Sequence, residues 1–573
     1  MTDKQVIIKR VLIGIGIAAI LVSIISFVVL NWNTMGEETF SFQSTYQGDE
    51  VTLKATIWED DDAEYAVLIC PGYSCDRQKW RPIANLFTSN GMTVMSFDYS
   101  GQGGSNGTIG FDNAKTDDIA VEIADAIEVL HERTGIDYDH IILVGHSMGG
   151  RSILRLLQDY NNPDAVTTVT KRDIENVILI APEVNYYANA QASLFAGTTD
   201  AEEEPWSYYN ESFIAGTNVY IYGSTADDIV SDKDILAIYE HLGGVDVPES
   251  GTWEATQVNS YGSKITVGVT SGVLHSYQMY SAKFAEYVNE AVSDITGTES
   301  SFNAGLMRLV YVGWFSALIG IFTLLYGLNM GSKITTEGES LLVLEDRKSF
   351  LIRKLIMWIP GILMAFVICC ICVVMPFGSP IMNIPYMCFI AGYGLVMLLA
   401  YRKGTFKGTV GSLPKPNLKT KSDWKHNLYC FGIVALLCIF AWYVLRASMY
   451  RLMPFNFRLF WLIFNGALMT VGYYVSGAEQ DMLENAGASR GTRFLYSLIQ
   501  YVPLFLFVLF YLVIKSYSGL IGQIVNVLLM YILCIPIGTF VRHRTGNRLI
   551  AAILTAVLFQ LLMINSAALI SMF

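Results

Sequence analysis

Ser147 lies in Ile141-Ile142-Leu143-Val144-Gly145-His146-Ser147-Met148-Gly149-Gly150, between two glycines and directly after a β-branched apolar run. A serine so placed suits nucleophilic attack on a carbonyl from a sharp strand-to-helix turn, because neighbours almost without side chains let strand and helix pack closely around it. The hydroxyl is a weak nucleophile at neutral pH, so it needs an imidazole within hydrogen-bond reach and a carboxylate to orient that imidazole. Seven histidines are available in the chain.

The elements that would position these groups follow from hydrophobic periodicity. Ile141 to Val144 reads as a short buried strand, and Gly149 to Tyr160 carries Ile153, Leu154, Leu156 and Leu157 at helical spacing. Around them, strand-like Ala66 to Cys70 is followed by helical Gln78 to Ser89, and strand-like Met92 to Asp98 by helical Thr116 to Arg133. Beyond the elbow come strand-like Asn176 to Ala181 and Asn218 to Gly223, helical Asp232 to Leu242, strand-like Lys264 to Thr270 and helical Tyr277 to Val292. This alternation predicts a mostly parallel sheet covered on both faces. Thr39 to Ser44 and Val51 to Trp58, joined through Gln47-Gly48-Asp49, predict an antiparallel hairpin at its edge.

Over roughly residues 37 to 293 the chain resembles the α/β-hydrolase family, in its lipase, esterase and serine-aminopeptidase-like branch. Three strings carry the resemblance: Gly145-His146-Ser147-Met148-Gly149-Gly150, Pro71-Gly72-Tyr73 where the family usually has His-Gly-X, and Asp98-Tyr99-Ser100-Gly101-Gln102-Gly103-Gly104-Ser105. The last resembles the family's D-x-R-G-x-G-x-S with serine in place of arginine. In this fold the acid and then the histidine follow the serine, which sets aside His131, His140 and His146; His426 and His543 lie in the hydrophobic C-terminal half. Of the two that remain, His241 ends an amphipathic stretch, where a positive imidazole suits the helix dipole. His275, after Ser271-Gly272-Val273-Leu274, occupies the loop position of the family's catalytic histidine.

The acid sits, by the same resemblance, in Gly223-Ser224-Thr225-Ala226-Asp227-Asp228-Ile229-Val230, which is similar to the family's G-x-x-D-x-x-V loop with one extra residue. Counting back from Val230 selects Asp227, while the insertion leaves Asp228 as an alternative. The backbone N–H groups of Met148 and Tyr73 are the implied oxyanion-hole donors. Residues 183–217 are expected to form a short cap, whose Tyr186, Tyr187, Phe195, Trp206, Tyr208, Tyr209 and Phe213 either line an acyl pocket or bury the cap on its own domain. The acidic run from Asp200 to Glu204 reads as a solvated loop.

The remainder of the chain places this chemistry at a membrane. Val11 to Leu30 is a 20-residue uncharged run preceded by Lys4, Lys9 and Arg10, which predicts an uncleaved signal anchor. Further spans are expected near 306–329, 354–376, 383–401, 427–446, 459–477, 494–514, 518–540 and 549–571, nine in all. With the N-terminus cytoplasmic, the inner segments hold 20 Lys and Arg and the outer ones only Arg308, Arg446, Arg451, Arg458 and Lys515, so the hydrolase domain is expected to be extracytoplasmic, most naturally at the cell membrane. Ionisable side chains, which would mark an ion or proton route, are nearly absent from these expected spans.

The domain plan is therefore a signal anchor over 1–35, an α/β-hydrolase domain over 36–300 and a membrane domain of about eight helices over 301–573. Residues 31–302 carry 42 Asp and Glu against 13 Lys and Arg, which argues against broad electrostatic binding of nucleic acid or anionic lipid. Only Cys70 and Cys75 of nine cysteines fall in that domain, so no disulfide framework is implied. No metal, phosphate-loop or dinucleotide motif is present, and no cofactor is expected. The implied function is a membrane-anchored serine hydrolase cleaving an ester, or an amide, through an acyl-enzyme. Its expected partners are an acyl-ester or lipid-linked substrate and membrane lipids, with protein partners open to the helices. An aminopeptidase-type peptidase, and a non-catalytic sensor or assembly module, are the alternatives.

Overall fold

The computed structural model describes residues 2–110, 118–161, 169–183, 210–331, 342–375, 378–380, 384–404, 406–413, 415–416, 418–420, 422–448, 457–564 and 569–570. The expected cap aromatics Tyr186, Tyr187, Phe195, Trp206, Tyr208 and Tyr209 and the acidic run 200–204 lie outside the described residues.

Nine strands form one sheet: β1 (Glu38–Tyr46), β2 (Asp49–Trp58), β3 (Ala66–Cys70), β4 (Thr93–Asp98), β5 (Ile141–His146), β6 (Asn176–Ile180), β7 (Asn218–Ser224), β8 (Trp253–Val258) and β9 (Lys264–Thr270). Their spatial order is β1-β2-β4-β3-β5-β6-β7-β9-β8. The pairs from β4 through β3, β5, β6 and β7 to β9 are parallel, and both margins are antiparallel. Every residue of β3, β4, β5 and β6 is buried, as strands covered on both faces require. The β1–β2 hairpin turns through Gln47 and Gly48, both at positive φ (54° and 82°). β8 was not legible in advance: Trp-Glu-Ala-Thr-Gln-Val alternates half-buried and exposed and has no apolar run to announce it. This is the α/β-hydrolase fold.

Among the described residues, eight helical stretches are long and apolar enough to cross a membrane: Asp3–Leu30, Ala304–Asn329, Arg347–Val373, Ile384–Arg402, Trp424–Ser448, Phe457–Asn485, Arg490–Val513 and Tyr517–Thr545. The ninth expected span is the shorter helix Arg548–Ile564. Further along, the chain is extended at Ile570, which bridges both Ile109 of the hydrolase domain and Ser379. The N-terminal helix packs on helix Arg308–Asn329 through small residues: a Cβ on Gly16 would lie 2.8 Å from Leu324 N, and one on Gly320 3.0 Å from Ile20 N. Such close backbone approach is how helices associate where apolar burial supplies no driving force.

Ionisable groups gather at the helix ends, at or beyond the bounds expected for the spans. Helix Phe457–Asn485 runs beyond the expected end at 477 and brings Glu479 and Asp481 into buried positions. Lys354 Nζ meets Glu479 Oε2 at 2.5 Å and Gln500 Oε1 at 2.9 Å, and Tyr401 Oη donates to Glu479 Oε1 at 2.8 Å. Asp481 pairs with Arg542 and Arg548. Mutual pairing makes these charges tolerable within the bundle, and a hydropathy pattern cannot reveal it.

Candidate active site

Ser147 joins β5 to helix Met148–Asn161 with φ at 50°, in the left-handed region that a non-glycine residue enters only when its surroundings hold it there. Its N–H donates to Ile180 O at 3.0 Å, and its carbonyl accepts from Arg151 and Glu183, each at 3.0 Å. The flanking glycines are required by close approach: a Cβ on Gly149 would lie 2.1 Å from Cys70 O, and one on Gly145 2.6 Å from Gly150 Cα. Sequence thus sets the backbone, and the backbone presents the hydroxyl.

The loop after β7 and the turn after β9 carry the expected acid and base, Asp227 and His275. His275 opens a short helical turn, His275–Tyr280, and its Nδ1 lies 2.9 Å from Asp227 Oδ2 and 3.1 Å from Oδ1. Asp227 is also held by the Ile229 and Val230 N–H groups, both at 2.8 Å to Oδ1, and by Gln278 Nε2 at 2.7 Å to Oδ2. Its side chain is fully buried. A carboxylate with so many donors is fixed in one orientation, and it fixes the imidazole in turn. Asp228, the alternative acid, points elsewhere and accepts from the N–H and Oγ of Ser518.

The rings of His146 and His275 are 4.6 Å apart, which brings the imidazole of residue 275 to the elbow. Burial, and after it the charges of His275 and Lys79, pushes His146 well below the usual imidazole range. His146 is therefore a neutral packing surface, also 5.1 Å from the Trp80 ring.

Met148 is the first residue of its helix, where N–H groups have no intrahelical partner. Tyr73 follows Gly72 in a turn closed by the Cys75 N–H on Gly72 O at 3.2 Å. That turn lies on the elbow, since a Cβ on Gly72 would be 3.2 Å from Ser147 Cβ and 2.8 Å from His146 Nδ1. Two anionic groups brace the surrounding loops. Asp98 pairs with the guanidinium of Arg77, wholly buried with it, and accepts the Arg77 N–H at 2.7 Å and the Gly104 N–H at 2.8 Å. Ser100, where the related pattern has arginine, gives its N–H (3.1 Å) and its hydroxyl to the buried Glu122. Burial, opposed by those bonds, raises the Glu122 carboxyl to about 8. The two cysteines nearby are free thiols.

The carboxyl ends of the parallel strands, where α/β folds place their sites, face the ends of the apolar helices. Arg458 Nη2 donates to Gly101 O at 2.7 Å, and the Ser276 N–H to Ser518 Oγ at 3.4 Å. Tyr280 Oη donates to Ser448 O. Leu569 N–H donates to Gly101 O at 2.8 Å, and Ile109 N–H to Leu569 O at 3.0 Å. Of these groups, Gln278 and Ser518 escaped sequence reasoning. Gln278 lies one helical turn beyond His275, a spacing that could have flagged it; Ser518 lies 290 residues from Asp228 and left no local signal.

Residues 65–207 match the family model of the alpha/beta hydrolase fold, spanning β3 to beyond β6. Three solved structures are similar to the hydrolase part. An esterase of Pyrococcus furiosus shares 16% identity over 45% of this chain and 92% of its own, with a TM-score of 0.32. Esterase 2 of Thermogutta terrifontis shares 18% over 46% of this chain and 95% of its own, TM-score 0.32. The alpha/beta hydrolase GrgF of a Penicillium species shares 15% over 47% of this chain and all of its own, TM-score 0.32. No curated protein matches the sequence.

Proposed function

We propose that this protein is a membrane-tethered serine esterase that works through an acyl-enzyme and draws its substrate from the bilayer surface. Ser147 Oγ attacks the ester carbonyl while His275 Nε2 takes the hydroxyl proton; Asp227, on Nδ1, orients the imidazole and stabilises its charged form. The N–H groups of Met148 and Tyr73 receive the oxyanion. Collapse of the tetrahedral adduct breaks the bond to the alkoxide, which leaves with the proton from His275. Water then attacks the acyl-serine, giving its proton to His275; the second adduct collapses by breaking the acyl C–Oγ bond, His275 returns that proton to Ser147 Oγ, and the acid leaves.

The observation that carries this reading is a serine held at positive φ at the elbow, whose neighbour His146 packs 4.6 Å from the imidazole of a buried imidazole–carboxylate pair. Capture of lipid-linked esters is supported by the placement of the strand ends over the helix ends, which keeps the reacting face near the bilayer. The hydrolase domain is read as extracytoplasmic from the distribution of Lys and Arg. The test is turnover by the reconstituted protein of a long-chain ester in vesicles against a short-chain ester in water. Preference for the vesicle ester in kcat/KM supports the proposal; equal or lower kcat/KM for it contradicts bilayer capture, and turnover of peptides but not esters contradicts the esterase assignment.

A further inference from the structure

Two neighbouring carboxylates on one loop have different duties. Asp227 faces His275, whereas Asp228 faces the first turn of helix Tyr517–Leu529, where Ser518 donates to it from both its N–H and its Oγ. The Ser518 N–H belongs to a helix end with no intrahelical partner for it, and a carboxylate is favoured there by the helix dipole. The same Ser518 oxygen accepts the N–H of Ser276 at 3.4 Å, the residue directly after His275. One hydroxyl can donate once and accept twice, so Ser518 joins the acid-bearing loop to the histidine-bearing turn. It is buried at that junction.

We infer that Ser518 is a positioning residue for the reaction proposed above, so that the end of an apolar helix sets the His275–Asp227 geometry. The inference rests on the serine-hydrolase reading. Both loops end on one atom group of the membrane region, and a shift of helix Tyr517–Leu529 along its axis moves the acid and the base together. Loss of the clamp leaves Ser147 and the oxyanion donors untouched but loosens the partner that must take the proton, a fault that appears in kcat and not in KM.

The experiment uses the full-length protein in detergent with p-nitrophenyl butyrate as substrate. Ser518→Ala is expected to lower kcat about tenfold, with KM within about twofold of wild type. Ser518→Thr, which keeps the hydroxyl, is expected to recover most of the loss. Asp228→Asn is expected to match Ser518→Ala, and the double variant to be no worse than either, since the two changes break one contact. Wild-type kcat in Ser518→Ala, equal damage by alanine and threonine, or additive losses in the double variant would overturn the inference. A Ser147→Ala control separates the two levels: if that variant turns over the ester like wild type, the hydrolase reading fails and this one with it. Wild-type kcat in Ser518→Ala beside an inert Ser147→Ala removes the clamp alone.

Discussion

Gln278 donates to the same Asp227 oxygen that faces His275, so removing that donor frees the carboxylate to swing. Gln278→Leu should lower kcat about tenfold, the worth of one hydrogen bond to a charged group, and steady-state kinetics on a soluble ester would check it. Glu122 gives a pH prediction. Its folded pKa of about 8 stands above the ordinary 4.5, so the folded state binds the extra proton between those values. Stability from this group is therefore full below about 4.5 and is lost as pH rises toward 8. Glu122→Gln should flatten that decline, and thermal unfolding of both proteins between pH 5 and 9 would show the variant gaining relative to wild type as pH increases. At this scale the positions of Ser147 at a strand-to-helix turn and of His275 after β9 were readable because each sits in a short string whose spacing specifies its place. The choice between Asp227 and Asp228 was not, because a one-residue insertion leaves the count ambiguous, and only the loop's path sends one carboxylate to His275 and the other to Ser518.

Close contacts between elements impose stricter demands than their composition suggests. Gly72 touches both His146 and Ser147, so Gly72→Ala must push the loop after β3 away from the elbow. That change should cost about a hundredfold in kcat if it displaces one oxyanion donor, measurable with any soluble ester. Among the apolar helices, Gly320→Leu would drive a side chain into the backbone of the N-terminal helix. Overpacking of that kind costs about 1–3 kcal/mol, and a lower melting temperature in detergent, with the hydrolase strands unchanged, is the expected outcome. The buried strands were readable from unbroken runs such as Val67 to Ile69 and Ile141 to Val144. β8 was not, because an edge strand needs apolar residues on one face only. Helix Phe457–Asn485 outran its hydropathy because Glu479 and Asp481 find buried cations, partners that a linear window cannot see.

The whole molecule sets an α/β-hydrolase sheet on apolar helices, with the carboxyl ends of its parallel strands toward them. Glu37, just after the N-terminal helix, binds Arg81 of the hydrolase part at 2.8 Å and also pairs with Arg446 at the end of helix Trp424–Ser448. The N-terminal helix, the sheet domain and the helical bundle thus meet at one carboxylate. If the domain faces outward, a membrane-impermeant fluorophosphonate should label intact cells as strongly as lysed ones; labelling only after lysis would reverse the orientation. The relation of sheet to bundle was not legible in sequence, since contacts such as Arg458 with Gly101 join residues hundreds of positions apart. The central claim is that Ser147 is the nucleophile, and covalent labelling of the purified full-length protein with a fluorophosphonate, followed by peptide mapping, tests it most directly. The account predicts one adduct, on Ser147, and none on Ser147→Ala, whose ester turnover falls by about ten-thousandfold or more. Equal labelling of the wild type and Ser147→Ala, or an adduct mapped to another residue, would contradict it.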